Sequence, residues 1–546
     1  MAPRKRHTAP RWAPREGSGA RALRVAALAA AWGQAVLESS NGGRVVAVLA
    51  GNGAETLELL MALWEAGLCA ALLSARWGAS ETQHALRTLG HANIVAVVAS
   101  SGLMSNARMA VEAVGLGAPV MGLGEVPKGS GSGSNVASRA LTTPRAVPFG
   151  GRAAVVCFTS GSTGSHKGAA ISLAALGAQG LAKMTHCGVC ATTRLLQSAP
   201  LYHVGGLSSA VACLMAGAAH VWPARGGFSA LALVEAVEGD GVNALIAVPA
   251  MLEDVLAWTA AHPQRATSAA ARVRSVLVGG GAPSVHATAA TVALFGSARI
   301  VFTYGMTEAA SSVTFIEAPI AMALHAGGRG LGAATWLGDE RERAPPGGFL
   351  GACVGWAPPH VQVGFAEAAQ TTADTATAAR AVCTRGPHVM LGYWGAPRET
   401  RAALDPVSGW LTSGDAGWRD SSGALWLLGR LSDSIRTGAE WVMAAEVQAA
   451  LESHPAVIEA AVVPVPDDRL GEAVGALVVV SPDKPPGVTA DALRAHCAAR
   501  GMARYKLPRR VVVQREALPR GAGMAKVLKG EVLRRITDAG KPRAKL

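Results

Sequence analysis

The sequence predicts an α/β protein: a large N-terminal domain of βα-layered sheets followed by a smaller, mobile α+β domain. Three observations carry this. At 546 residues the chain exceeds the roughly 100–200 residues of one ordinary domain, so two or more units are expected. From about residue 44 to Val313, short apolar runs alternate with segments of helical periodicity, the pattern of a parallel sheet covered by helices. After Arg430 the character changes, with long strand-like runs flanking only two helical segments. The expected boundaries are a basic tail over 1–24, the large domain over 25–430, the small domain over 431–540 and a short tail over 541–546.

In chain order, Arg44–Ala50 is an apolar run with β-branched residues, then a Gly turn, then Glu55–Trp64 at helical spacing. Asn93–Ala99 is a second buried strand. Lys128–Asn135 alternates Gly and Ser and reads as a flexible connection, since it follows no strand and opens no helix. Ala154–Phe158, Leu245–Val248 and Val276–Val278 are further strands. Leu207–Trp222 is the most apolar stretch; it is shorter than the ~20 residues that span a bilayer and holds Ser208, Ser209 and His220, so it predicts a buried helix. Asp339–Gly348 and Glu367–Arg380 read as surface loops. In the small domain, strands at Val457–Val463 and Ala476–Val480 accompany helices at Ala444–Ser453 and Ala490–Arg500.

The net charge of +13 raises the question of nucleic acid. The basic residues are spread out and aromatics make up only 5%, with no stripe of Arg and aromatic residues, so an anionic small molecule explains local positive charge better. The eight cysteines have no disulfide-like spacing. Cys187-Gly-Val-Cys190 lacks further ligands at zinc-site spacing and reads as ordinary packing. Residues 1–24 hold seven Arg and Lys against one acid, Glu16, like a transit segment or a solvated tail. The final Ala544-Lys545-Leu546 is a close variant of Ser-Lys-Leu, a peroxisomal address read by an import receptor.

The chemistry starts at Val155–Gly168. A strand runs into Thr159, Ser160, Gly161, Ser162, Thr163, Gly164, Ser165, His166 and Lys167. Glycines let backbone N–H groups approach an anion, hydroxyls add donors and the lysine adds charge. That is a phosphate cradle; the spacing is not that of Walker A. A Gly/Ser linker would not follow a buried strand or crowd hydroxyls around one lysine.

This segment resembles the signature loop of the acyl-adenylate-forming superfamily, which includes acyl-CoA synthetases. Four further segments match in order. The resemblance implies ATP, Mg²⁺ and CoA as co-reactants of a carboxylate substrate, an acid–thiol ligation. By resemblance, Gly279, Gly280 and Gly281 end the adenine-pocket strand. In Tyr304-Gly-Met-Thr-Glu308, Tyr304 lies against adenine, Thr307 meets the α-phosphate and Glu308 holds Mg²⁺. In Ser413-Gly-Asp415, Asp415 accepts the ribose hydroxyls. In Gly429-Arg430-Leu-Ser-Asp433, Arg430 touches ribose and Ser432 is the pivot of a swivelling C-terminal domain. In Leu518–Val527, Lys526 neutralises charge at the α-phosphate, with Lys529 as a decoy three residues on.

Pro200-Leu-Tyr-His203-Val-Gly205-Gly206-Leu-Ser208-Ser209 falls where this superfamily builds its acyl pocket. Together with Tyr304–Phe315 and Thr384–Trp394, it resembles the plant-type 2-succinylbenzoate–CoA ligases of naphthoquinone synthesis. His203, Ser208, Ser209, Ser311 and Ser312, beside Gly205 and Gly206, are the candidate polar contacts to such an acid; His203 could instead be a packed gate. Two departures stand out: family glycines are Ala439 near the hinge and Ala525 before Lys526. Other readings are a ligase for fatty or other aromatic acids, and a non-catalytic adenylate-binding relative.

Overall fold

The computed structural model describes residues 25–32, 44–123, 125, 151–159, 166–223, 227–281, 285–318, 351–366, 380–438, 440–481, 488–520 and 527–539. The predicted segments 1–24, Lys128–Asn135, Asp339–Gly348 and 541–546, together with Ser160–Ser165, Ala439, Ala525 and Lys526, lie outside them.

The first sheet uses β1 (Val45–Leu49), β2 (Cys69–Leu73), β3 (Ile94–Ala99), β4 (Val120–Gly122), β5 (Ala153–Thr159) and β6 (Lys167–Ser172) in the order β6-β5-β2-β1-β3-β4. Pairings are parallel except β5 with β6, which return as an antiparallel hairpin. β1 and β2 are buried at every residue, and period-two alternation sends successive side chains to two different cores. Val46, Val48 and Ala50 face helix Ala54–Glu65; Val45, Ala47 and Leu49 face helices Ala79–Leu89 and Met104–Ala113.

The second sheet contains β7 (Arg194–Leu196), β8 (Ala219–Val221), β9 (Ala244–Ala247), β10 (Ser275–Val278), β11 (Arg299–Met306) and β12 (Ser311–Glu317), ordered β12-β11-β10-β9-β7-β8. It is parallel except for β11–β12. Helices Leu173–Cys187 and Val204–Ala216 form a layer shared by both sheets. Ala175, Leu176, Val204 and Leu207 pack in the first sheet's core, while Ala182, Cys187 and Cys213 pack in the second's. A side chain in the middle of this layer is therefore far from water.

One expectation changes here. The apolar run Leu207–Trp222 is not one helix. The helix stops at Ala216, Gly217 takes a left-handed φ of 65°, and β8 follows. A left-handed glycine just past a helix end satisfies its last carbonyls and turns the chain.

A third sheet was not anticipated by βα alternation. β13 (Ala352–Gly355), β14 (Gln362–Ala366), β15 (Arg380–Arg385), β17 (Leu411–Arg419) and β18 (Leu425–Arg430) pair antiparallel in the order β13-β18-β17-β15-β14. Between them β16 (Gly392–Tyr393) crosses to the edge of the first sheet beside β6. After the turn Leu431–Asp433, a five-stranded sheet of β19 (Ser434–Thr437), β20 (Glu440–Met443), β21 (Val457–Asp467), β22 (Gly471–Val480) and β23 (Arg510–Gln514) carries helices Ala444–Glu452 and Ala490–Ala499 in one core and Lys529–Ala539 in another. The architecture is thus a large N-terminal domain and a smaller C-terminal one. Among the described residues, no helix is long and apolar enough to cross a membrane.

Candidate active site

The hydroxyl-rich segment falls between β5 and β6, an antiparallel hairpin whose strands are described up to Thr159 and from Lys167. Thr159 and Lys167 are paired across its base. His166 Nδ1 lies 3.0 Å from the Thr159 carbonyl oxygen, and its ring packs 4.8 Å from Trp77, so both stems of the loop are fixed. Lys167 places its ammonium 5.2 Å from the centre of the Tyr393 ring on neighbouring β16. The Tyr393 hydroxyl in turn donates to Glu308 Oε1 at 2.8 Å. Burial, then the Glu308 charge, pushes the Tyr393 phenol well above its ordinary pKa, which keeps that proton in place. The structure thus links Lys167 and Glu308, 141 residues apart in number, through one tyrosine that sequence reasoning did not single out.

Glu308 lies in the short turn Thr307–Ala309 between β11 and β12. The strands leave no room for a side chain at Gly305, where a Cβ would lie 1.7 Å from the Ser311 carbonyl oxygen. The turn closes through Ala310 at φ 51° and Ser311 at φ 141°, both unusual for residues with side chains. Such backbone persists only when neighbours over-determine it. Gln179, on helix Leu173–Cys187, does so: its Nε2 donates to Ala309 O at 3.0 Å and Ser312 O at 2.7 Å, and its Oε1 accepts from Ser312 N at 3.0 Å.

Tyr304, on β11, reaches the third sheet. Its hydroxyl donates to Asp415 Oδ2 at 2.6 Å, and Arg430 Nε lies 2.9 Å from Asp415 Oδ1. Asp415 and Arg430 are cross-strand partners on β17 and β18. Arg430 Nη1 also donates to Ser413 O at 3.2 Å, and Ser413 Oγ accepts from Asp415 N at 3.1 Å. Burial raises the Asp415 pKa, against the lowering by Arg430 and the Tyr304 hydrogen bond. Each carboxylate oxygen keeps a further lone pair for an incoming donor. Gly279, Gly280 and Gly281 follow the end of β10, with Gly280 at φ 80°.

The predicted acyl region converges on a residue that the sequence reading missed. Lys183, on the middle-layer helix and 1% exposed, donates to Ser209 Oγ at 3.1 Å, Ser311 Oγ at 3.2 Å and Gly205 O at 3.3 Å, and also to Ser208 Oγ. Gly206 instead marks a close backbone approach, since a Cβ there would lie 2.2 Å from Pro200 O. The Ser312 side chain is buried without a hydrogen-bond partner among the described residues. His203 stands exposed at the start of helix Val204–Ala216; partial desolvation, then the Arg76 charge, lowers its pKa. The segment before it is held by Asn52, whose Nδ2 donates to Ala199 O at 3.0 Å while its Oδ1 accepts from Leu201 N at 2.7 Å. A signal for Lys183 existed: Gln179 and Lys183 are one turn apart in a helix otherwise apolar on that face.

Ser432 is exposed in the turn between β18 and β19. Its neighbour Asp433 pairs with Lys529, the lysine three residues after Lys526. Cys187 is buried at a helix end and Cys190 is exposed beside Thr192.

A family model described as AMP-binding enzyme matches residues 23–394, and one described as AMP-binding enzyme C-terminal domain matches 446–522. The 2-succinylbenzoate–CoA ligase, chloroplastic/peroxisomal, of Arabidopsis thaliana is 35% identical over 403 residues, 70% of this chain and 67% of that protein. The feruloyl-CoA synthase of an Amycolatopsis species is 31% identical over 506 residues, 90% of this chain and 89% of that one. Among solved structures, the o-succinylbenzoate CoA synthetase of Bacillus subtilis in complex with its acyl-adenylate intermediate superposes with a TM-score of 0.68 at 23% identity, covering 95% of this chain and 93% of that chain, a likeness of fold. The order of motifs, the fold and these matches converge on one conclusion: the chain belongs to the AMP-binding enzyme family, as an ATP-dependent acyl-CoA ligase.

Proposed function

We propose that the acid is 2-succinylbenzoate, ligated to CoA for naphthoquinone synthesis. The observation that carries this reading is the polarity of the predicted acyl region: Ser208, Ser209 and Ser311 are buried together around a lysine, a polar cluster that suits an acid with a second polar group and penalises a plain hydrocarbon chain. The Arabidopsis relative supports the same choice.

In this reading the carboxylate attacks the α-phosphorus of ATP and pyrophosphate leaves; the CoA thiol then attacks the acyl-adenylate and AMP leaves. The hairpin residues Thr159–Lys167 hold phosphate. Asp415, buried and oriented by Arg430 and Tyr304, accepts the ribose hydroxyls. Glu308 fits Mg²⁺ as a hard carboxylate whose Oε1 is already oriented by the Tyr393 hydroxyl, and the ion would screen phosphate charge there. Lys526 neutralises charge at the α-phosphate, and swivelling of the 431–540 domain about Ser432 admits CoA. The Arabidopsis relative's name carries chloroplast and peroxisome, and its likeness supports the same compartments for this chain.

The coverage of the feruloyl-CoA synthase favours a second reading, an aromatic monocarboxylic acid. AMP release measured with ATP, Mg²⁺ and CoA against 2-succinylbenzoate, ferulate and a fatty acid separates them. Highest kcat/KM with 2-succinylbenzoate is expected; release with ferulate alone replaces the first reading by the second.

A further inference from the structure

Lys183 is the least explained charge in the described protein. It is 1% exposed, yet its four partners are three serine hydroxyls and one carbonyl oxygen, all neutral, and the described residues give it no carboxylate. An ammonium taken out of water without a counter-charge is destabilising even when hydrogen-bonded. Helix formation does not ask for it, because the same helix buries Ala175, Leu176 and Ala182. Burial lowers its pKa to about 8, with the thiols of Cys187 on its own helix and Cys213 on the facing helix as the titratable groups that act on it.

Its placement says what would complete the set. Gly205, Ser208 and Ser209 follow His203 in the acyl segment, while Ser311 begins β12 directly after the Thr307–Ala309 turn. Met306, which directly precedes Thr307, is the cross-strand partner of Ser311, so the Thr307 and Ser311 Cα atoms lie within about 9 Å of each other. With its ammonium 3.2 Å from Ser311 Oγ, Lys183 is about the length of a small aromatic acid from the residues assigned to the reacting phosphate. Ser208 and Ser209 donate their own protons to Val204 O and Gly205 O. Among the described residues the Ser311 hydroxyl proton has no acceptor, which leaves one donor beside the ammonium for an anion.

We propose that Lys183 is the counter-ion for a second carboxylate on the substrate, with Ser311 as its companion donor, so that the chain selects a dicarboxylic acid over the same acid lacking that group. This rests on the proposed 2-succinylbenzoate reading and names the residue that would enforce it. The second carboxylate takes no part in bond making; it fixes the ring while the succinyl carboxylate reacts.

The test compares kcat/KM for 2-succinylbenzoate and 3-benzoylpropionate, which has the same reacting arm and no ring carboxylate. The full chain should prefer the dicarboxylate by about 100-fold, and Lys183→Met should bring that ratio close to one, with partial recovery in Lys183→Arg. A ratio unchanged in Lys183→Met, or both acids falling in proportion, overturns the inference. Should Lys183→Met fail to fold, the wild-type chain with the ring methyl ester of 2-succinylbenzoate decides: an ester used as well as the acid overturns it, and a loss of about 100-fold supports it. A wild-type chain that uses neither acid refutes the functional reading itself, whereas use of both acids without preference refutes only the role of Lys183.

Discussion

In the proposed nucleotide site, Asp415 is held in place by its neighbours within the protein. Its two oxygens are already oriented, one by Tyr304 at 2.6 Å and one by Arg430 at 2.9 Å. Preorganised acceptors bind without further ordering cost. Asp415→Asn removes the charge and one acceptor, and leaves the Arg430 guanidinium without its partner. ATP affinity should weaken about 10- to 100-fold by calorimetric titration, with little change in melting temperature. Unchanged affinity would remove Asp415 from the nucleotide site. At this scale the family resemblance named Tyr304, Glu308, Asp415 and Arg430, and the structure brings Tyr304, Asp415 and Arg430 into contact. For Lys183 and Gln179 the one-turn spacing was only a weak signal, because in an Ala-rich helix a Lys or Gln most often faces water. Their burial is a property of the two sheets that enclose the helix.

At the scale of elements, helix Leu173–Cys187 does two things from one face. Gln179 clamps the strained turn at 309–312, and Lys183, one turn further on, gathers the serines of the acyl segment. Gln179→Leu would remove the hydrogen bonds that three backbone groups make with this side chain. We expect a loss of about 3 kcal/mol in unfolding free energy together with a fall in turnover, as the turn bearing Thr307 and Glu308 relaxes. Unfolding and steady-state assays on one preparation check both, and a variant stable but unaltered in rate would show that the clamp serves folding alone. The strands at 45–49, 94–99 and 244–247 were legible from apolar runs of β-branched and small residues bounded by turns. The third sheet was not, because β13 pairs with β18 and β15 with β17, partners that stand far apart in the sequence. Leu207–Trp222 misled for a related reason: helix and strand are both apolar when buried on all sides, and only Gly217 marks the break.

At the scale of the whole molecule, buried histidines set a limit on the acid side. Burial lowers the pKa of His220 to about 4, and burial followed by the His360 charge lowers that of His388 to about 4. In the unfolded chain both return to about 6.5. The unfolded state therefore takes up protons first as pH falls below 6.5, and stability declines down to about pH 4. Between pH 7.5 and 5.5 each contributes a loss of about 1 kcal/mol. Melting temperatures across that window should fall by several degrees; a flat profile would contradict the burial of neutral rings. Asp415, Glu446 and Glu452, whose pKa values desolvation raises, act in the opposite sense at lower pH. The division into a large domain and a smaller one was legible from the change in pattern after Arg430. The shared helical layer that buries the acyl region between two sheets was not, because it arises only when both sheets are in place.

The central claim is that this architecture joins 2-succinylbenzoate to CoA through an acyl-adenylate. Mass spectrometry of the products formed by the purified chain from ATP, Mg²⁺, CoA and 2-succinylbenzoate tests it most directly. The account predicts AMP and the 2-succinylbenzoyl thioester in equal amounts; AMP and thioester appearing only when another acid is supplied would contradict it.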